Sequence, residues 1–411
     1  MRGPLRGSWV FLNSTQPPYT VSHYHDTWDK AHRVGGTCQG RGWTYGWQDG
    51  SAGGGGPFLS SASSLCTQLS GTNMLFIGDS LSLQFYESFR ARLRHERYAH
   101  GPDAGNAWCR GRCEGPFGRL CGGHCAVPNF DDNPHSSHFS VCDGGAAMMI
   151  AEGFRWVVSA DSFVASDPQA GRCASRVRRS PSSFGLEVIP KSHVQQMLTA
   201  ALKPITTPQG VKHPVQRLVV VYNQMAHIHA FIKSVRECYA TEGGMSESLA
   251  ATAAERDVLR FWADDQARWA NLLQQLRANL TLNGGARIGG LASPAPRIDV
   301  YLRTSPPAAD AFCTKPDGSP RTPLTPAVLT NGVMHGAAEY SHHLVHHLND
   351  VMRAAFRAHG HGVVDVEAML GVRVDAYPCS HDGTGDKLHF CQPGPVDWAL
   401  DALVRQIRRD A

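Results

Sequence analysis

No stretch of this chain offers the roughly 18 consecutive apolar residues that a membrane-spanning helix requires, so no transmembrane segment is expected in it. No segment repeats at a fixed period, which argues against a solenoid. A Walker loop and a dinucleotide fingerprint are both missing, so nothing supports cofactor-driven chemistry. The G-x-S-x-G elbow that carries the serine of α/β-hydrolases is missing too. Lys and Arg form no long stripe, and a formal charge of +4 spread over the chain gives no reason to expect a nucleic-acid partner. The opening MRGPLRGSWVFLN has two arginines but a very short apolar run, so it does not read as a signal peptide. If the protein is secretory, its targeting segment or membrane anchor is expected outside this chain.

What is present fits a globular protein. The 411 residues are 42 % hydrophobic and 18 % charged, enough for one large α/β domain or two smaller ones with a substantial core. There are 12 cysteines, an even number scattered from Cys38 to Cys391, as in a disulfide-stapled extracytosolic protein. The sequons Asn13-Ser-Thr and Asn279-Leu-Thr agree with that compartment. Together they favour the secretory lumen.

Five short runs read as buried strands: Met74–Ile77, Arg155–Ser159, Leu218–Tyr222, Ile298–Leu302 and Gly362–Val366. A helical pattern over Leu81–Leu93 follows the first. Another over Ser246–Leu282 precedes the fourth, with Thr252 and Glu255 spaced as a capping box. Its Leu259, Trp262, Trp269, Leu272, Leu276 and Leu280 recur at helical spacing and read as core. Strands alternating with helices indicate a parallel sheet covered on both faces. Residues 1–70, rich in Gly, Ser and Trp, read as an added amino-terminal segment of a smaller lobe. Residues 71–411 read as the main domain, with a Cys-rich insertion at 99–142 that needs cross-links or a metal to order it.

In FIGDSLSLQF, residues 76–85, Ser80 falls where the first strand gives way to a helix. Two readings compete: a helix cap, or a nucleophile at the carboxyl end of a strand, where open parallel sheets gather reactive groups. There the helix's free N–H groups would stabilise a negative oxygen. A reacting serine needs an imidazole to take its proton and a carboxylate to hold that imidazole's tautomer. GDKLHFCQPGPVDW, residues 385–398, offers Asp386 and His389 one turn apart; the competing reading is a surface turn. In VVVYNQMAHIHA, residues 219–230, Asn223 follows a β-like run. It reads equally as an oxyanion donor or as a residue that turns the chain.

The ordered set of these blocks resembles the PC-esterase group of the SGNH/GDSL superfamily, and within it the trichome-birefringence-like proteins of plants and algae. RGSWVF (6–11) and YGWQDG (45–50) resemble blocks ahead of the Gly78-Asp79-Ser80 turn. VVVYNQMAH and VYLRTSP (300–306) resemble strand-end blocks, and GVRVDAYP (371–378) and LHFCQPGPVDW (388–398) the closing ones. The resemblance implies a three-layer α/β/α core with a five-stranded parallel sheet and a smaller Cys-containing lobe. It also implies O-acetylation of cell-wall polysaccharides in the Golgi lumen through an acetyl-serine. Ser80 would be the nucleophile, His389 the general base and acid, and Asp386 its orienting partner. Asn223 and the Ser80 backbone N–H would form the oxyanion hole. Asp79, His227 and Arg303 become substrate-binding candidates. The expected partners are a polysaccharide acceptor and an acetyl donor used as co-substrate, with no bound cofactor and no metal. An acetylesterase with the same triad is the alternative, and a non-catalytic glycan-binding protein the second. Two departures stand out: Lys387 occupies the position after the triad Asp where the family has Cys, and the 109–142 insertion is foreign to the pattern. The first points to a disulfide lost or rerouted through Cys379 or Cys391.

Three further clusters have competing readings. CRGRCEGPFGRLCGGHC (109–125) could hold zinc, but two local disulfides account for it more economically. HHLVHH (342–347) repeats His at i and i+4 on a helix through Arg357, read as a solvated face rather than a metal site. RCASRVRRSP (172–181) reads as a basic solvated loop, or more weakly as a contact for an acidic polysaccharide.

Overall fold

The structure is a computed structural model. It describes residues 7–12, 43–49, 59–95, 137–142, 145–152, 156–179, 184, 186–206, 211–283, 295–308, 314, 319, 321–323, 341–378, 388–392 and 394–410. In chain order the strands are β1 (Gly7–Phe11), β2 (Tyr45–Asp49), β3 (Thr72–Gly78), β4 (Ser137–Cys142), β5 (Ala146–Glu152), β6 (Trp156–Val157), β7 (Glu187–Val188), β8 (Ile205–Thr206), β9 (Lys212–His213), β10 (Arg217–Asn223), β11 (Arg297–Arg303) and β12 (Gly362–Val364). The helices are α1 (Ala62–Gln68), α2 (Ser80–His95), α3 (Gly171–Arg179), α4 (Lys191–Ala201), α5 (Ile228–Thr241), α6 (Glu247–Asn283), α7 (Val345–Ala358), α8 (Glu367–Gly371) and α9 (Pro395–Arg409).

The central sheet runs β12-β11-β10-β3-β5-β4. Its first five members are parallel, and β4 joins the edge antiparallel to β5. Side chains alternate between two cores. Leu75, Ile77, Leu218, Val220, Ile298 and Val300 face the helices α3 to α7. Met74, Phe76, Val219, Val221 and Tyr301 face α1, α2, α8 and α9. With both faces covered, the strands are apolar at nearly every position, as parallel strands must be. This is the expected α/β/α arrangement of three layers around five parallel strands.

Two local expectations change. The Arg155–Ser159 run supplies only β6, which pairs with β7 outside the main sheet. The fifth parallel strand is instead β5, AAMMIAE, whose Ala and Met residues carry little β signal. Between β3 and the β4 edge, Ala146 to Ala151 are buried on both faces, so position overrides propensity. Gly145, at φ 79°, makes the turn that feeds it. The expected capping box also fails: α6 begins five residues before Thr252, whose hydroxyl bonds back to the Ser248 carbonyl at 3.2 Å. The helix's apolar stripe does pack as expected, with Trp262, Trp269, Leu272 and Leu276 buried and Leu259 and Leu280 partly so.

Buried polar contacts fix α2 against α9. Arg92 bonds Asp401 at 2.7 Å and also donates to the Ser60 carbonyl. Asp401 in turn accepts from the Ser60 backbone N–H, and Ser88 donates to Asp397, both at 2.5 Å. The described part of the amino-terminal segment lies on the same side of the sheet. Trp9 stacks edge-on against Trp47 and Trp398, and the Arg373 guanidinium lies over the Trp9 ring at 4.4 Å.

Cys66 pairs with Cys142, and Cys173 with Cys238. Cys142 thus ties the end of β4 to α1 instead of bridging within 99–142. Cys391 is also disulfide-bonded. The remaining cysteines, the Asn13 sequon and the 109–125 cluster lie outside the described residues. No described helix is long and apolar enough to cross a membrane.

Candidate active site

The strand order reverses between β3 and β10: from β3 the chain builds outward through β5, and from β10 it builds the other way through β11 and β12. In open α/β sheets the crevice beyond such a reversal is where reacting groups collect. Gly78 ends β3 opposite Asn223 of β10. A Cβ on Gly78 would lie 2.1 Å from the Asn223 carbonyl oxygen and 2.5 Å from Ser82 Oγ, so only glycine lets the turn pass so close.

Asp79, not Ser80, caps α2. Its Oδ1 accepts from the Leu81 N–H at 3.0 Å, and its carbonyl accepts from Ser82 and Leu83. Those bonds satisfy the N–H groups of the three residues that follow Ser80. The Ser80 hydroxyl is therefore not needed as a cap. It lies 2.7 Å from His389 Nε2, across 309 residues of sequence, and both side chains are buried. For neutral imidazole, accepting from the serine at Nε2 places the ring proton on Nδ1. Asp386 lies outside the described residues.

The sequence reading missed the residue that holds the histidine segment to the serine helix. Gln84, one turn after Ser80, clamps the peptide unit next to His389. Its Oε1 accepts from the Phe390 N–H at 3.2 Å and its Nε2 donates to the Phe390 carbonyl at 3.0 Å. Gln392 Nε2 donates to the Gln84 carbonyl at 2.9 Å, and the Cys391 N–H donates to the Ala376 carbonyl at 2.7 Å. Phe390 packs on Tyr377 with ring centroids 4.4 Å apart. The i+4 relation of Gln84 to Ser80 was the available signal, because it puts both on one helix face.

Three sequence candidates take other roles. Asp79 is fully buried and its Oδ2 accepts from the N–H groups of Met225 and Ala226 at 3.1 and 3.0 Å. With Oδ1 on the Leu81 N–H, both carboxylate oxygens are engaged, and Asp79 staples the β3 turn to the segment after β10. Arg303 is also fully buried. It donates to Asn223 Oδ1 at 2.8 Å and to Ser82 Oγ at 3.1 Å, and lies 4.6 Å over the Phe85 ring. Burial lowers its pKa to about 10, against the opposing pull of Asp79, so it stays charged at neutral pH. Asn223 is not placed as an oxyanion donor. Its Nδ2 donates to the Arg303 carbonyl and to Ser305 Oγ, both at 2.8 Å, which uses both amide hydrogens. The Arg303 donor on Oδ1 fixes the amide's orientation. His227 stands half-buried at the start of α5, its ring 6.0 Å from that of His229.

Leu81 and Leu388, the sequence neighbours of Ser80 and His389, line a small cavity of ≈ 10 Å³ together with Met225, Ala226 and Ser305. Leu81 and Leu388 pack with Ala226 and Ala308 in one small apolar cluster.

Among the described residues, several side chains of the other clusters have partners within the protein. His343 and His346 bond Glu255 and Glu367 at 3.3 and 2.9 Å. In the basic stretch Arg172 and Arg176 both reach Glu242, and Arg178 reaches the Phe163 carbonyl at 2.9 Å. Cys173, Cys238 and Glu242 lie close enough together to suggest a metal site, but both sulfurs are spent in a disulfide.

No family model and no curated protein matches the chain. Solved structures similar to it include two esterases. One is Est24, a carbohydrate acetylesterase from Sinorhizobium meliloti, at 14 % identity over 83 % of this chain and 100 % of that one, with a TM-score of 0.27. The other is an inhibitor-bound aryl esterase from M. smegmatis, at 13 % identity over 82 % and 99 %, also with a TM-score of 0.27. Superposition at that level does not bear on this chain's activity.

Proposed function

We propose that the protein is a serine-dependent acyl-transfer enzyme that carries an acetyl group on Ser80 and passes it to a polysaccharide hydroxyl. One observation carries the reading: the 2.7 Å contact between Ser80 Oγ and His389 Nε2, at the strand ends where the sheet order reverses. Ser80 attacks the acetyl carbonyl while His389 Nε2 takes its proton, then returns that proton to the leaving oxygen. In the second half-reaction the acceptor hydroxyl attacks the acetyl carbon as His389 takes its proton, and collapse releases Ser80 Oγ, which takes that proton back from His389. Asp386 is assigned the task of holding the Nδ1 proton. The Ser80 N–H, at the positive end of α2, supplies one donor to the tetrahedral oxygen. The two described disulfides support a secretory setting, with the Golgi lumen as the proposed compartment. The acceptor and acetyl donor are proposed as the only partners needed.

Intact-mass and peptide mapping after incubation with acetyl donors test this. Acetyl should appear on Ser80, be absent in Ser80→Ala, and decay faster when the acceptor polysaccharide is added, leaving glycan-bound acetate. Absence of any acetyl on Ser80 across donors ends the serine reading. Release of free acetate alone, whatever the acceptor, turns the assignment to an acetylesterase.

A further inference from the structure

With Asn223 committed inside the protein, the tetrahedral oxygen lacks its expected side-chain donor. The residue that Asn223 bonds to lines the cavity. Ser305 Oγ accepts from Asn223 Nδ2 at 2.8 Å, so its own hydrogen must point away from that amide. Among the described residues no acceptor meets that hydrogen. A buried hydroxyl proton without a partner is costly and calls for a reason.

Ser305 is also held more firmly than a loop residue needs to be. Its N–H donates to Asn349 Oδ1 at 3.0 Å, and its carbonyl accepts from Asn349 Nδ2 at 2.8 Å. Asn349 belongs to α7 and is itself fully buried. The backbone is thus clamped from one side and the hydroxyl from the other. Upstream, the Arg303 guanidinium donates to Asn223 Oδ1 at 2.8 Å. The bonds run in one sense, from Arg303 to Asn223 to Ser305, and each donor polarises the next. The chain of bonds ends at Ser305, a residue that lines the cavity together with Leu81, Ala226 and Leu388.

We infer that Ser305 is the side-chain oxyanion donor of the site, its hydroxyl proton aimed by the Arg303–Asn223 relay at the carbonyl oxygen of a short acyl ester. The inference rests on the serine acyl-transfer reading. When Ser80 Oγ bonds to the acyl carbon, its proton passes to His389 Nε2 and the carbonyl π pair moves onto oxygen. That oxygen accepts from the Ser80 N–H and from the Ser305 O–H. Collapse restores the carbonyl and expels the alcohol oxygen, which takes the proton from His389. A fixed donor of this kind needs no reorganisation as charge develops, which is what makes such groups effective.

The test uses the full chain, 4-nitrophenyl acetate as ester, and an alkyl boronic acid that forms a tetrahedral adduct on Ser80. Ser305→Ala and Ser305→Cys are compared with the parent; the thiol keeps the volume but donates poorly, which covers the case of an alanine variant that folds badly. Both should lose on the order of 10²-fold in kcat with KM little changed, and boronate affinity should fall in parallel with kcat/KM. A merely structural role would lower the melting temperature and spare this parallel. Unchanged kcat and boronate affinity in a folded variant, or a loss confined to KM, overturns the inference while leaving the serine reading intact. A parent protein that neither turns over the ester nor binds the boronate overturns both.

Discussion

The ends of β3 and β10 lie side by side at the centre of the sheet, and the chain treats them in opposite ways. At the end of β3, Asp79 satisfies the first helix donors, and the Ser80 hydroxyl meets His389 Nε2 at 2.7 Å. At the end of β10, Asn223 turns its whole amide inward, onto Arg303 and Ser305. One strand end presents chemistry, while its neighbour gives up its polar atoms to make a rigid frame. A polar residue at the carboxyl end of a parallel strand is therefore a candidate only until its hydrogen bonds are counted.

The largest expected effect separates the two ends directly. Ser80→Ala should lower turnover by about 10⁴-fold or more, as loss of a nucleophile commonly does, with unchanged thermal unfolding. Stopped-assay rates and a melting curve on the same sample check it, and a substantial residual rate would break the comparison.

Arg303→Ala should act on the frame. It strands Asn223 Oδ1 and Ser82 Oγ in a fully buried site, at a cost of roughly 3–5 kcal/mol. Chemical denaturation should show that loss. A stable Arg303→Ala protein would mean that the network is not what holds the β10 end closed.

Gln84→Ala sharpens the contrast, because the clamp belongs to the serine side yet acts on the histidine segment. Loss of both bonds to the Phe390 peptide should cost roughly 1–3 kcal/mol and about 10-fold in kcat as the Ser80–His389 geometry loosens. Partial recovery of kcat in Gln84→Asn is not expected, since the shorter side chain cannot span the same gap.

An effect on stability alone, with none expected on turnover, concerns the opposite face of β10. Asp265 of α6 is fully buried, with Oδ1 accepting from the Val158 N–H at 2.8 Å and Oδ2 unpartnered. Burial raises its pKa from 3.8 to about 8, against hydrogen bonds from Val158 and Ser159 and the charge of Arg268. A carboxyl held protonated in the fold but ionised when unfolded makes stability fall as pH rises from about 4 to about 8, then level off. The slope from one proton is at most about 1.4 kcal/mol per pH unit. Asp265→Asn should remove this component from a melting-temperature series across that range and leave acyl transfer unchanged. An identical pH series in the variant would show that the carboxyl is ionised in the native protein.

Local patterning by itself determined most of the frame. The apolar runs at 74–77, 218–222 and 298–302 and the long amphipathic stretch 246–282 are strands and a helix in the structure, because burial on both faces, or on one stripe, writes itself into residue type. The GDS turn and the carboxyl-terminal histidine were legible too, since a glycine turn before a helix and a block of unusual residues stand out locally. The strand at 146–152 was not, because Ala and Met take the sheet position only when neighbouring strands bury them. Nor could the sequence say that Arg303 would be sealed or that Asn223 would bond Ser305 rather than a substrate. Those outcomes depend on which donor meets which acceptor across gaps of 80 to 309 residues. A hydrogen bond is a property of two atoms in space, and only the packed sheet decided which pairs would meet.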